Sequence, residues 1–381
     1  MVAIAYPFLI SLAAALVVRD QAPKPLSFTL NKHDKKEKVR PNPTTRAKIN
    51  ANEDVRLFAN GDSYLINLGV IDQNQELQLV LDTGSADLWV DAAKLSDTSA
   101  FTKDGQKFGI EYQDQSIVRG EFGTSSVWLE NGVEIKDLQW ALATDVELTT
   151  GEIPGILGIG KGINEAGYHS SGTTYPNFTQ KLKDQGLIAS NSYSYYLNKL
   201  GTATGTITFG GRDLAKVKGP VATFYPSTTD ENARFDTVTV SKFTSANGGS
   251  APGVEAILDT GTTLTYIPAS VIKSLKVPGV SVDIRGTYYI GCNQPTTKFV
   301  SFWFGSTEIK VSYHDLAIPE TDDNGNATGR CYFGFQSSTP EEGYTLGDSF
   351  LRGAYITVNH DKNQILISDV NFTDTENIVS I

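Results

Sequence analysis

Two stretches of this chain, "LVLDTGSADLWV" at 79–90 and "AILDTGTTLTYI" at 256–267, each run an apolar strand into Asp-Thr-Gly. A carboxylate at the end of a buried strand must lose water, which is costly unless something partners it. Asp82-Thr83-Gly84-Ser85 is followed by Ile156-Leu157-Gly158, and Asp259-Thr260-Gly261-Thr262 by Thr345-Leu346-Gly347. Strand, Asp-Thr-Gly, long β region, Leu-Gly: the same order occurs twice. Such a repeat marks a duplicated lobe. One Asp-Thr-Gly-Ser/Thr tetrapeptide arises by chance in on the order of one chain in a hundred of this length. Two in matching places of a repeated half are far rarer, so the bland reading, two turn-capping aspartates, is set aside.

The rest of the chain fits two β-rich lobes. Its 381 residues suit two domains rather than one. Runs such as "SYLINLGV", "GTITFGG" and "QILIS" mix β-branched or aromatic residues with turn formers. "SYLINLGVIDQNQELQLVLD" predicts a hairpin turning at Asp-Gln-Asn-Gln. Only "YPNFTQKLKDQGLI" and "PASVIKSLK" read as helical. "SKFTSANGGSAPG" at 241–253 reads as a flexible surface loop. The boundary between the lobes is expected near 198–203, giving an N-terminal lobe over 51–200 and a C-terminal lobe over 201–381.

Residues 1–18, "MVAIAYPFLISLAAALVV", read as a signal peptide rather than a membrane span or core strand. The apolar run is short, Ala13-Ala14-Ala15 offers a small-residue cut, and a polar segment follows. The C-terminus has no hydrophobic tail, so no membrane anchor is expected. Residues 19–50 form a basic segment, read as a propeptide rather than a tail. Residues 1–50 carry nine Lys or Arg against three Asp or Glu, whereas 51–381 carry 23 basic and 40 acidic residues. So acidic a body disfavours nucleic acid. The basic segment is expected to lie on the acidic body, with Lys32, Lys35, Lys36 or Lys38 near the two aspartates. Acid would loosen it and allow self-cleavage near 46–50.

In a secreted chain, Cys292 and Cys331 read as one disulfide rather than two free thiols. Asn177, Asn326 and Asn371 head glycosylation triplets. "GILGIGKG" lacks the spacing of a nucleotide-binding loop, and Gly347-Asp348-Ser349 reads as packing rather than a hydrolase triplet. His33, His169, His314 and His360 show neither a base partner nor metal-ligand spacing, so no metal is expected.

The two carboxyls explain their neighbours. Placed face to face they cannot both ionise easily, so they share a proton. One can then take a proton from water while the other donates one to a carbonyl. The glycine after Asp-Thr lets backbone N–H groups approach closely. The Ser85 and Thr262 hydroxyls can bond the outer carboxylate oxygens.

"DTGSADLWV", "GILGIG", "ILDTGTTLTY" and "YTLGDSFLR", in that order over about 60–369, resemble the pepsin-like aspartic endopeptidases. "TYPNFTQKLKDQGLIASNSYSYYLNK" and "GTITFGGRD" are most similar to the secreted candidapepsin-like enzymes of yeasts. The resemblance implies an all-β, bilobal, pepsin-like double β-barrel or sandwich, with Asp82 and Asp259 facing each other in the cleft. It implies an acid endopeptidase made as a zymogen, or, on the same fold, an inactive binding or inhibitor protein. "FGIEYQDQSIVRG" matches the flap hairpin, with Tyr112 as its aromatic residue, Trp89 bonding that tyrosine, and Asp114 near the tip. The alternative for Tyr112 and Trp89 is ordinary core packing. Ile156 would line an apolar pocket, and Gly84, Gly261, Thr262 and Thr263 would contact an extended peptide. The implied partners are polypeptide substrates and pepstatin-type inhibitors, for a monomer without a cofactor. Gln113 and Gln115 stand where the family has small residues, the N-terminal lobe has no cysteine, and no Lys-Arg processing site occurs.

Overall fold

The computed structural model describes residues 23–34, 62–112, 114–149, 153–202, 204–229, 233–321 and 326–381. The signal segment, Lys35, Lys36, Lys38, Gln113 and the cleavage region at 46–50 lie outside them. The described chain is built almost wholly of strands, as the β-branched runs predict. Helices form at Phe178–Asp184 and Ala269–Ser274, inside the two expected segments. Asn177 caps the first by accepting from Gln180 N.

The repeat recurs as one topology used twice. In the N-terminal lobe, Asp72–Asp82 pairs in parallel with Gly155–Gly158, which pairs antiparallel with Leu88–Asp91. In the C-terminal lobe, Glu255–Leu258 pairs in parallel with Thr345–Leu346, which meets Thr265–Ile267 antiparallel. Each strand that ends in an aspartate is therefore locked between sheet partners. Leu79, Val80 and Leu81 are fully buried. Burial contributes roughly 1.5–3 kcal/mol for each such side chain, enough to carry the carboxyl after them out of water.

A thirteen-stranded sheet joins the lobes. At its middle lies Leu26–Asp34, between Thr204–Phe209 and Asp62–Val70. Beyond Thr204–Phe209 come Ser192–Tyr196, then Ala354–Asn359 and Gln364–Val370 from the end of the chain. Strands on either side of residue 200 pair with each other, Tyr196 opposite Thr206.

Three local expectations change. Residues 26–34 of the basic segment are not laid over the cleft but paired within this sheet. Alternation sends Phe28 and Leu30 into the core and holds Lys32 opposite Tyr64. The stretch 241–253 is an ordered hairpin, Lys242–Ser245 with Ser250–Pro252, because Phe243 is buried edge-on against Phe302 at 5.1 Å. The first hairpin turns at Ile71, before Asp-Gln-Asn-Gln. Its φ of 68° is unusual for a β-branched residue, and burial of its side chain offsets the strain.

Candidate active site

Asp82 and Asp259 meet at the junction of the lobes, both buried, with their carboxyls bonded to each other. Each is held by its own motif. Gly84 N donates to Asp82 Oδ1 at 2.8 Å, and the Ser85 hydroxyl donates to Oδ2. Gly261 N donates to Asp259 Oδ1 at 2.8 Å, and Thr262 Oγ1 donates to Oδ2 at 2.6 Å. The glycines have a second use. A Cβ on Gly84 would stand 2.7 Å from the Asp259 carboxyl, and one on Gly261 would stand 2.6 Å from Asp82 Oδ1. Each Asp-Thr-Gly turn leaves room for the opposite aspartate.

Burial raises both carboxyls above the usual range. The Asp82 charge then pushes Asp259 well higher, while Ser85, Asp259 and the Gly84 amide oppose the rise at Asp82. The two carboxyls therefore hold one proton between them, since burial and mutual repulsion oppose ionisation of both.

Thr83 and Thr260 hold the two turns together, a role that reading the motif one half at a time misses. Thr83 N donates to Thr260 Oγ1 at 3.2 Å and Thr260 N to Thr83 Oγ1 at 3.0 Å. Each hydroxyl donates onward, Thr83 to Leu258 O at 3.0 Å and Thr260 to Leu81 O at 2.7 Å. The repetition of threonine in both motifs is the signal that could have found this clasp.

The hairpin expected to serve as the flap is formed by Thr102–Glu111 and Ile117–Leu129. Trp89 Nε1 donates to the Tyr112 hydroxyl at 2.7 Å, and both side chains are buried. Ile156 is wholly buried in the same apolar cluster, with Val80, Phe108 and Ile110, rather than open to a pocket. Asp114 turns back on its own hairpin: it accepts from Ser116 N at 2.9 Å and from Thr149 Oγ1 at 2.6 Å. Thr263 is buried, and its carbonyl accepts from Ser349 N. Ser349 Oγ donates to Gly334 O at 2.7 Å, the packing role expected for that triplet.

Cys292 and Cys331 form a disulfide in the C-terminal lobe. Asn371 and Asn326 are exposed. Asn177 is buried, and its Nδ2 donates to Gly160 O at 2.8 Å. His360, which shows no partner in the sequence, donates from Nε2 to Asp236 Oδ2 at 2.9 Å.

Two duplicated β lobes, each presenting one Asp-Thr-Gly carboxyl to the other, define the bilobal aspartic proteinases. The chain belongs to the eukaryotic aspartyl protease family, whose pattern matches residues 63–370. It is 33% identical over 345 residues to an acid protease of Saccharomycopsis fibuligera, covering 86% of each chain. It is 32% identical to candidapepsin of Candida tropicalis, covering 89% of this chain and 88% of that one. Secreted aspartic protease 3 of Candida albicans is 30% identical, over 86% of this chain and 84% of its own. The crystal structure of an aspartic proteinase from Irpex lacteus superposes with a TM-score of 0.68, covering 92% of this chain and all of that one; at 20% identity it shows the fold. The enzyme is thus an aspartic endopeptidase, a hydrolase active in acid. Among the described residues, no helix is long and apolar enough to cross a membrane.

Proposed function

We propose that this is a secreted acid endopeptidase, made as a zymogen, in which Asp82 and Asp259 together activate water against a peptide bond. The carrying observation is the pair itself, two buried carboxyls that face each other, each held by the amide and hydroxyl of its own motif. Ionised Asp82 takes a proton from a water molecule as the oxygen adds to the peptide carbonyl carbon. Protonated Asp259 donates its proton to the carbonyl oxygen. The resulting gem-diol collapses when the nitrogen is protonated and the C–N bond breaks, leaving an acid and an amine. Ser85 and Thr262 keep the outer carboxylate oxygens oriented, and the threonine clasp keeps the two turns in register.

The substrate is an extended polypeptide, bound through its main chain beneath the flap. The enzyme works as a monomer, and water is the only co-reactant. Relatives named as secreted, and the Cys292–Cys331 bridge, support release into an oxidising compartment.

Hydrolysis of a denatured protein at acid pH tests the reading. Pepstatin should block it, and Asp82→Asn should lower kcat on the order of 10²–10⁴-fold. An Asp82→Asn enzyme of wild-type rate would sink the dyad. For the zymogen, N-terminal sequencing compares wild type with Asp82→Asn, each purified alone. Self-cleavage requires that only the wild type be trimmed near 46–50.

A further inference from the structure

Behind the dyad lies a second buried charged cluster, assembled from both lobes and the sheet between them. Asp236 is buried at its centre. His360 Nε2 donates to its Oδ2 at 2.9 Å and the Tyr193 hydroxyl to the same oxygen at 3.1 Å. Lys161 Nζ stands 3.9 Å from Oδ1 and donates to Ala233 O at 3.1 Å. The His360 and Lys161 side chains are only about a tenth exposed, 10% and 11%. Burial pushes the Asp236 carboxyl up, but His360, Lys161 and Tyr193 outweigh it and hold the group below the usual carboxylate range. Asp236 is therefore ionised.

A buried ion pair is seldom a net gain in stability over apolar residues of the same size, because desolvation offsets the attraction. Its use must be sought in what it holds in place, and the backbone beside each member gives the answer. Lys161 follows Gly160, whose N–H donates to Ser85 O at 2.8 Å. Ser85 is the residue whose hydroxyl holds Asp82. On the other side, Asp236 O accepts from Leu258 N at 3.0 Å, and Leu258 precedes Asp259. Tyr193 belongs to the sheet that joins the lobes, and His360 stands in the turn directly after the strand Ala354–Asn359, with His360 N bonded to Asn191 O at 2.9 Å. The threonine clasp ties the turns at the dyad itself. The charged cluster is a second tie, set off from the first.

We propose that Asp236 is a positioning residue for catalysis: gripped by Lys161, His360 and Tyr193, it fixes the angle at which the Asp259 lobe meets the loop that holds Asp82. This rests on the dyad reading above. A displacement of reacting groups by about 1 Å costs on the order of a hundredfold in rate. The cluster therefore governs turnover more than substrate affinity.

The test compares Asp236→Asn, His360→Phe and His360→Gln in the full chain after acid activation, with active sites counted by pepstatin titration. Asp236→Asn removes the charge at constant size. His360→Phe removes the donor, whereas His360→Gln keeps an N–H for Asp236. The expected result is a fall in kcat per titrated site of roughly tenfold or more for Asp236→Asn and His360→Phe, with KM within about twofold. His360→Gln should recover most of the loss. A variant with no titratable sites is set aside and the others decide. Wild-type kcat in Asp236→Asn or His360→Phe, or a His360→Gln enzyme as slow as His360→Phe, overturns the proposal. An active wild type beside these results leaves the dyad reading intact, whereas an inactive wild type overturns both.

Discussion

A Cβ on Gly84 would sit 2.7 Å from the carboxyl of Asp259, a residue of the other lobe. The glycine of one motif is thus the space in which the aspartate of the other stands. Gly84→Ala should fold, because each lobe keeps its own core, yet its carboxyls must part. We expect kcat to fall on the order of a hundredfold with pepstatin binding weakened in parallel. Near-normal pepstatin affinity in Gly84→Ala would show that the pair has room to spare.

The flap should respond to Trp89. Trp89→Phe keeps a ring in the cluster but leaves the buried Tyr112 hydroxyl without the indole donor. An unmade bond of this kind costs about 1–3 kcal/mol, expected in urea unfolding. Tyr112→Phe in the Trp89→Phe background should recover part of that loss, since both polar partners are then gone. A double variant as unstable as the sum of the singles would rule out the pairing.

Neutral pH should loosen the N-terminal lobe. Asp87 accepts from the Tyr175 hydroxyl at 2.7 Å and from Ala166 N at 2.8 Å, and Tyr175 N donates to Glu165 Oε2 at 2.8 Å. Burial pushes Asp87 up to about 6. Burial, and then the Asp87 charge, push Glu165 up to about 8. Unfolded, both would titrate near about 4. Between those values the folded protein binds more protons than the unfolded chain, so stability declines as pH rises. It should be full below about pH 4 and fall through about 6 and then about 8. Glu165 adjoins Asn164, whose Nδ2 donates to Gly84 O at 2.8 Å, so the strain reaches the dyad. Glu165→Gln should flatten the upper part of the decline in a series of melting curves across this range. An unchanged slope would exclude Glu165 as its cause.

Glycan occupancy should divide the three triplets. Asn177 caps a helix from a buried position, with its amide nitrogen bonded to Gly160 O. A glycan on that nitrogen has no room at so buried a site. Peptide mapping of the folded, secreted protein is expected to find sugar at Asn326 or Asn371 and none at Asn177. Appreciable occupancy at Asn177 would contradict the cap.

The legible parts of the site were those written in adjacent residues. Asp82 with Gly84 and Ser85, and Asp259 with Gly261 and Thr262, each lie within one turn, and the bonds found are the ones expected there. Trp89 and Tyr112 were legible through resemblance, because one stands in the first Asp-Thr-Gly motif and the other in the flap motif. The interlobe bonds of Thr83 and Thr260 were not, because each joins residues that only folding brings together. The strand at 26–34 was obscured by the lysines and prolines of the segment around it. Composition marked the segment as unable to fold alone, and sheet partners on both sides supply what it lacks. The hairpin at 241–253 was hidden in the same way, since its Gly and Ser content speaks of a loop while the buried Phe243 and Ala251 anchor it.

Sequence by itself determined the two lobes, the aspartate of each, and the hydroxyl and amide that orient it, because strand pattern and turn chemistry act over a few residues. Tertiary structure alone decided that the two carboxyls are buried together, which glycine makes room for which carboxyl, and that His360 and Lys161 converge on Asp236. Those outcomes depend on distance and on loss of water. Both are properties of surfaces brought together from far along the chain, and no local pattern records them.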